Sequence, residues 1–172
     1  MMDNKNNRIV ISALVENKYG VLTRVAGMFT RKGFNIDSLT VGETEDPNFS
    51  RMTIVITGGE FIREQMVKQL AKLFNVKGIK TYEDGTTVER ELCLIKVRNT
   101  PENRSEITAA AEIYRAKIVD YTTDVMTVEI TGEPSKINAF IEIAKPLGIL
   151  ETCRTGVVAI ERGRNTMTKI IK

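Results

Sequence analysis

The sequence predicts an α+β protein in which one unit of six elements, in the order β-α-β-β-α-β, occurs twice in tandem. Two observations support this class. Runs of β-branched or alternating apolar residues, typical of strands, are separated by apolar stripes at helical spacing. The same order of elements returns after a short polar segment, and each copy is about 75 residues long.

The first copy begins at residues 8–15, RIVISALV, which are apolar on both faces, as in a central strand. Apolar residues at helical spacing then predict a helix over 21–32, and Gly33 follows as its C-terminal glycine. Residues 50–57, SRMTIVIT, alternate as a strand does. The remaining elements of this copy are predicted as strands over 35–43 and 75–83 and a helical stripe from Ile62 to Leu73.

The second copy begins with the strand-like run at residues 91–98, ELCLIKVR. Asn103, with Glu106 three residues later, predicts the N-cap of a helix, and Pro134 suits the first turn of another. The other predicted elements are a helix face from Ile107 to Tyr114, strands over 117–123 and 125–131, a helical stripe from Ile137 to Leu147, and a last strand over 150–162.

This order of elements is that of the ferredoxin-like fold, in which two helices cover one face of an antiparallel sheet. The strands at 8–15 and 91–98 also carry apolar residues on the face that has no helix. Because such a face, or a long unpaired edge, requires a partner, the sequence predicts a homodimer or a larger assembly. The predicted divisions are a flexible arm (1–7), a first domain (8–83), a linker (84–88), a second domain (89–163) and a basic tail (164–172).

Composition narrows the function classes. Of the 172 residues, 25 are basic and 22 are acidic, which gives a net charge of +3. The basic residues are scattered along the chain, so they do not indicate a nucleic-acid-binding surface. The locally basic tail, RGRNTMTKIIK, is interpreted as a solvated end. No apolar run approaches the roughly 18 residues that span a bilayer. The start, MMDNKNNR, has no signal-peptide core, so a cytoplasmic protein without a membrane partner is expected.

Catalytic and metal chemistry have few candidate residues. The chain has no histidine, the commonest general base, and two cysteines alone cannot supply the usual structural zinc site. Cys93 and Cys153 both lie in strand-like runs and are expected to be buried free thiols. Carboxylates such as Glu43 and Glu45 leave a small enzyme open as an alternative, but they flank a turn and are expected to be solvated.

Residues 15–36 contain a cluster suited to binding rather than reaction. Gly20 precedes the first helix, whose free N–H groups and positive dipole end suit a carboxylate. Asn17 and Asn35 offer donors and an acceptor without a charge, which suits a zwitterion. The same residues are also ordinary helix-cap and turn residues, so spacing alone leaves both interpretations open. Asn17 and Asn35 need not lie close within one copy and can meet across a dimer interface.

Four stretches of the sequence resemble a known family. Residues 16–42, ENKYGVLTRVAGMFTRKGFNIDSLTVG, resemble the start of an ACT domain, the amino-acid-sensing form of this fold. The other three, SRMTIVITG (50–58), VERELCLIKV (88–97) and RTGVVAIERG (154–163), are similar to the small, regulatory subunit of acetolactate synthase, or acetohydroxyacid synthase. The resemblance extends over residues 8–163, with the motifs in the family's order.

The resemblance implies a non-catalytic regulatory subunit in the biosynthesis of branched-chain amino acids. The subunit would carry no cofactor, because the family's large catalytic subunit holds thiamine diphosphate, Mg²⁺ and FAD and condenses pyruvate with pyruvate or 2-oxobutyrate. The small subunit raises that activity and confers allosteric feedback inhibition by valine, which binds between two ACT domains of a dimer. A stand-alone ACT-domain sensor acting on another enzyme or regulator is the alternative.

The resemblance also implies which residues hold the effector. They are Asn17, Gly20 and the amides of Val21 and Leu22 from one copy, Asn35 and Ile36 from the facing copy, and the small Gly42 near the ligand. No second site is assigned to residues 99–103, NTPEN, because this loop lacks a glycine before the helix. The sequence does not fix which branched-chain amino acid binds best, since one methylene changes affinity by only about 1–3 kcal/mol.

Overall fold

The structure is a computed structural model that describes residues 8–83 and 85–167. These residues form two compact units, one containing the chain up to Val88 together with the segment from Val157, the other containing Glu89–Gly156. The arm predicted over 1–7, residue 84 of the predicted linker, and residues 168–172 of the predicted tail lie outside the described residues.

The first unit is built on a four-stranded antiparallel sheet with the strand order β2-β3-β1-β4. Its elements are β1 (Arg8–Glu16), α1 (Val21–Arg31), β2 (Ser38–Glu43), β3 (Phe49–Thr57), α2 (Glu60–Leu70) and β4 (Val76–Tyr82). This is the predicted β-α-β-β-α-β order. Strand β2 lies at one edge of the sheet, which positions its outer side for a further strand.

Alternate residues of the central strand β1 build the core of this unit. Ile9, Ile11, Ala13 and Val15 face the helices and are buried with Val25 and Phe29 of α1 and with Met66 and Leu70 of α2. Each large apolar side chain buried in this way stabilises the fold by roughly 1.5–3 kcal/mol. The helical period in α1 predicted its buried face, whereas β1 was predicted as a central strand because it is apolar on both faces.

The other face of the first sheet is covered by the chain's own C-terminal segment. Val157 and Ala159 pack on Val10 of β1 and Val55 of β3, with Tyr82 at the margin. The single strand predicted over 150–162 is therefore wrong, because a turn with Gly156 at φ 81° divides it into β8 (Ile149–Arg154) and β9 (Val158–Glu161). Residues from Val157 onward, which the predicted boundaries assigned to the second domain and the tail, group with the first unit.

The second unit repeats the topology of the first, with the strand order β6-β7-β5-β8. Its further elements are β5 (Thr87–Arg98), α3 (Arg104–Ile113), β6 (Lys117–Tyr121), β7 (Val125–Gly132) and α4 (Pro134–Ala144), with a short 3₁₀ helix at Lys145–Leu147. Cys93, Ile95 and Val97 of β5 pack with Ile107 and Phe140 of the helices to form the core. The predicted fold class, with Pro134 in the first turn of its helix, is confirmed.

The prediction of Asn103 as the N-cap residue of α3 is confirmed, although its side chain makes no cap bond. Its Oδ1 accepts from the amide of Thr100 and its Nδ2 donates to the carbonyl of Leu147 (both 2.9 Å). The prediction that both cysteines are buried is wrong for one of them. Cys153 is exposed, whereas Cys93 is buried as expected and burial raises the pKa of its thiol. Cys153 is exposed because it pairs with Leu94 on the face of the sheet that no helix covers.

None of the helices in the described parts of the chain, which run to 11 residues, has the length and apolarity needed to cross a bilayer.

Candidate functional site

The loop between β1 and α1 is anchored by Asn17. Its backbone amide donates to the carbonyl of Asn48 (2.8 Å), and its side-chain Nδ2 donates to Glu43 Oε1 (2.9 Å) and to the carbonyl of Pro47 (3.0 Å). Both protons of the carboxamide are therefore used, and its Oδ1 has no partner within the described parts of the chain. Asn17 is exposed, so this oxygen remains available as an acceptor.

Gly20 allows the loop to open onto the N-terminus of α1. It lies in the left-handed region at φ 78°, and a Cβ built there would meet no atom within 4 Å. The amide of Val21 donates to the carbonyl of Lys18 (3.3 Å), so it is less available to a ligand than predicted. The amides of Leu22 and Thr23 have no acceptor within the described residues, and they form the donor pair at the positive end of the helix.

Asn35 and Ile36 lie at the opposite end of the same sheet. Asn35 Nδ2 donates to Asp37 Oδ1 (3.1 Å), and the amide of Asp37 bonds to the carbonyl of Val55 (2.9 Å). Asn17 bonds to Asn48, which lies at the other end of β3 from Val55. At roughly 3.3 Å per residue of strand, Asn17 and Asn35 are therefore separated by about 20 Å. One copy of the chain therefore does not bring Asn17 and Asn35 together.

Gly42 lies beside the Asn17 end of the sheet, on the edge strand β2. It is exposed, and a Cβ added there would meet no atom within 4 Å. The next residue, Glu43, accepts the hydrogen bond from Asn17. Asn17, Gly20 and Gly42 are thus brought to one end of the unit, whereas Asn35 and Ile36 are not.

A polar network that no sequence motif indicated lies behind this loop. Glu16 accepts from Asn75 Nδ2 (2.8 Å) and forms ion pairs with Lys77 (3.1 Å) and Lys18 (3.2 Å). Arg24 of α1 donates to Asn75 Oδ1 (3.0 Å). The hydrogen bond from Asn75 and the two ammonium groups hold the pKa of the Glu16 carboxyl at about 2, so this group is ionised at neutral pH. No local pattern indicated the pairing, because Glu16 and Asn75 are 59 residues apart.

Metal and carboxylate chemistry receive little support from the geometry. Within residues 8–83 and 85–167, no group of three or more Asp, Glu or Cys side chains is arranged to hold a metal ion. Glu43 already accepts a hydrogen bond from Asn17, and Glu45 is exposed.

A cavity of about 620 Å³ lies under the C-terminal segment and is lined by residues that include Arg51 and Lys80. None of the predicted effector residues lines it.

Comparison with known families matches both units. Residues 11–78 match the family described as the AHAS small subunit-like ACT domain. Residues 90–163 match the family described as the small subunit of acetolactate synthase. The two matches occur in the order that the four sequence motifs predicted.

Individual relatives match over nearly the full chain. A probable acetolactate synthase small subunit of Methanothermobacter thermautotrophicus is 49% identical over 168 residues, which cover 97% of this chain and 100% of the relative. The acetolactate synthase small subunit of Mycolicibacterium smegmatis is 46% identical over 162 residues, covering 94% and 95%. The crystal structure of the Thermotoga maritima acetolactate synthase small subunit superposes with a TM-score of 0.84 at 42% identity, covering 92% of this chain and 99% of that one. The resemblance and the assignment of an ACT domain are confirmed.

Proposed function

Because the chain belongs to the acetolactate synthase small-subunit family, we propose that it activates the thiamine-diphosphate-dependent catalytic subunit and makes it sensitive to valine. The family places the chain as the small, non-catalytic subunit, and a catalytic partner subunit follows from that role. In this proposal thiamine diphosphate, Mg²⁺ and FAD belong to the catalytic partner. The location of the complex in the cytoplasm stays a prediction.

Valine binds, in this proposal, at the open end of the first unit. Its carboxylate accepts hydrogen bonds from the amides of Leu22 and Thr23, where the dipole of α1 favours negative charge. Its ammonium donates to Oδ1 of Asn17, the one hydrogen-bonding atom of that side chain without a partner among the described residues. Gly20 leaves room for the ligand to approach the backbone.

A second copy of the chain completes the site. The observation that carries the proposal is that β2 is an edge strand whose end, at Gly42 and Glu43, adjoins Asn17. When two such edges pair antiparallel about a two-fold axis, the start of one β2 lies beside the end of the other. Asn35 and Ile36 of the second copy then approach Asn17 of the first. The exposed Gly42 keeps the seam open because it has no side chain.

The regulatory effect follows from linkage between the two binding events. Valine inhibits if it binds one arrangement of the paired first units more tightly than another and the catalytic subunit is sensitive to that difference. The catalytic subunit must then change the affinity for valine by the same factor as valine changes the affinity for the catalytic subunit. This reciprocity is measurable with purified subunits.

The variant Gly20→Asp tests the site directly. The new carboxylate would stand where that of valine binds, so we expect valine affinity to fall by about a hundredfold or more in calorimetric titration of the isolated protein. The fold should survive at a cost of about 1–2 kcal/mol for the positive φ, because no atom crowds the position. The matched control Gly20→Asn has the same size and backbone strain without the charge, and it should bind valine more tightly than Gly20→Asp. Equal affinity of Gly20→Asp and the unmodified protein would refute this site.

A further inference from the structure

Two aromatic side chains are exposed in adjoining loops of the first unit. Tyr19 lies in the loop between β1 and α1 and is fully exposed, and Phe74 follows α2 with 73% of its surface exposed. Exposed aromatic residues in neighbouring positions are typical of protein interfaces, where they supply most of the binding energy. Nothing in the core of the unit requires them, since neither side chain belongs to its buried cluster.

The two loops are fastened to each other. The amide of Glu16 donates to the carbonyl of Asn75 (2.9 Å), and Asn75 bonds in turn to the side chains of Glu16 (2.8 Å) and Arg24 (3.0 Å). The ammonium of Lys77 lies 4.2 Å from the centre of the Phe74 ring. A surface that is held in place before binding loses less conformational entropy when a partner docks.

The rim of this surface is basic. Lys18 adjoins Tyr19 in the chain and Lys77 lies over the Phe74 ring, and the ionised Glu16 pairs with both lysines. Arg24 of α1 joins the same network through Asn75. Two copies of a face with an excess of positive charge repel each other, which disfavours self-association there. A partner with an apolar surface and an acidic rim is complementary to it.

We propose that the basic aromatic face, defined as Lys18, Tyr19, Arg24, Phe74 and Lys77, is where the catalytic subunit docks. This inference rests on the proposed function and names the surface that the function requires. Tyr19 lies between Asn17 and Gly20, so the loop that holds valine is also the loop that contacts the partner. Movement of this loop on valine binding is then felt by the catalytic subunit without any long-range path through the domain.

The test measures the affinity of the purified catalytic subunit from the same genome for variants of the full-length protein. Phe74→Ala and the double variant Tyr19→Ala/Phe74→Ala are compared with Phe61→Ala. Phe61 is a matched control because it is equally exposed, at 77%, in the same unit but at the opposite end of α2. We expect Phe74→Ala to weaken binding about tenfold and the double variant about a hundredfold, while Phe61→Ala changes it less than about twofold. Binding should also weaken as the salt concentration rises.

The outcomes separate this inference from the function on which it rests. If the unmodified protein binds the catalytic subunit but all three variants bind equally well, the docking surface is wrong and the proposed function stands. If the unmodified protein does not bind the catalytic subunit at all, both fail. If the double variant changes the mass of the free protein in solution instead, the face joins two copies of the chain and the inference is overturned. Unchanged melting of each variant by circular dichroism shows that the comparison is made between folded proteins.

Discussion

The loops that join the first strand to the first helix in the two units differ in how they use asparagine. In the first unit, Asn17 is exposed and keeps an oxygen without a partner among the described residues, and α1 begins with two unused amides behind Gly20. In the second unit, Asn99 is buried, donates to the carbonyl of Thr122 and accepts from Arg104. The first loop is therefore available to a ligand, whereas the second is closed on itself.

This difference shows that topology and residue type do not decide whether such a loop is open to a ligand. Each loop follows the first strand of its own βαββαβ unit, and both loops contain asparagine. Neither helix has a side-chain cap, and the difference is the glycine at positive φ that precedes α1 and adds no side chain over the helix N-terminus. In the second unit Asn103 bonds Thr100 and Leu147, and the loop becomes structural.

The sheet faces that carry no helix differ in how far they are covered. The face of the first sheet is closed by Val157 and Ala159, whereas that of the second presents Leu94, Lys96 and the exposed Cys153. A homodimer of the first units is thus expected to form through the edge at β2 rather than through this face. The assembly itself stays a prediction.

The largest expected effect on stability comes from Ala159→Glu. Ala159 is 2% exposed, so the substitution buries a carboxylate against Val10 and Val55, and we expect a loss of about 3 kcal/mol in the free energy of unfolding. Leu94→Glu on the second sheet is the matched control. Leu94 is 37% exposed and lies opposite Glu129 on β7, so its substitution should cost some stability but less than about half of that loss. Urea denaturation followed by circular dichroism measures both, and equal losses would mean that the two faces do not differ.

A second prediction contrasts the asparagines directly. Asn99→Ala leaves the carbonyl of Thr122 and the guanidinium of Arg104 without their partner, and it should cost about 1–3 kcal/mol of stability while valine still binds. Asn17→Ala removes an exposed side chain and should cost less than about 1 kcal/mol, but valine affinity should fall about tenfold or more. Thermal melting and calorimetric titration of both variants give the comparison. If Asn99→Ala lost valine binding while Asn17→Ala kept it, the ligand site would lie at the loop of the second unit instead.

The smallest effect concerns the pH dependence of stability. The pKa of Glu16 is about 2 in the folded protein and lower than in the unfolded chain, so its stabilising contribution is present above about pH 4.5 and is lost as the pH falls toward about 2. Glu16→Gln should therefore lose less stability than the unmodified protein over this interval. The control Glu112→Gln, an exposed residue of α3, should follow the unmodified curve. Denaturation midpoints measured between pH 5 and pH 2 decide whether the network holds Glu16 ionised.

Much of this architecture was predictable from local patterns. Strands such as β3 and β7 have a clear period of two, helices such as α1 and α4 have a period near 3.6, and β1 is a continuous apolar run. The positions of these elements agree with the prediction within about four residues. The covering segment at Val157–Ala159 was not predictable, because its sequence resembles a continuation of β8 and its residues pack on strands about 100 to 150 positions earlier in the chain. The hydrogen bond from Asn103 to the carbonyl of Leu147 was not predictable either, because these residues are also far apart in the sequence.

The candidate site was predictable only in part. Residue chemistry made the glycine and the asparagines candidates for a zwitterion site but left a cap and turn role open. The family resemblance favoured the ligand site and extended it to Ile36 and Gly42, and these assignments stay predictions. No local pattern indicated that the amide of Val21 donates to the carbonyl of Lys18, which leaves the amides of Leu22 and Thr23 as the donor pair. The network of Glu16, Asn75 and Arg24 depends on contacts that only the folded chain brings together.

If each valine is held by Asn17 of one copy and Asn35 of another, as proposed, mixed dimers of two variants should recover binding that neither variant has alone. Asn17→Ala and Asn35→Ala should each bind valine poorly alone. After the two are unfolded, mixed and refolded together, half of the dimers pair one variant with the other. Each of these has one intact site, so calorimetry should recover about one quarter of the unmodified number of sites at the unmodified affinity. A mixture that binds no better than either variant would show that both asparagines act within one chain, and the account would be wrong.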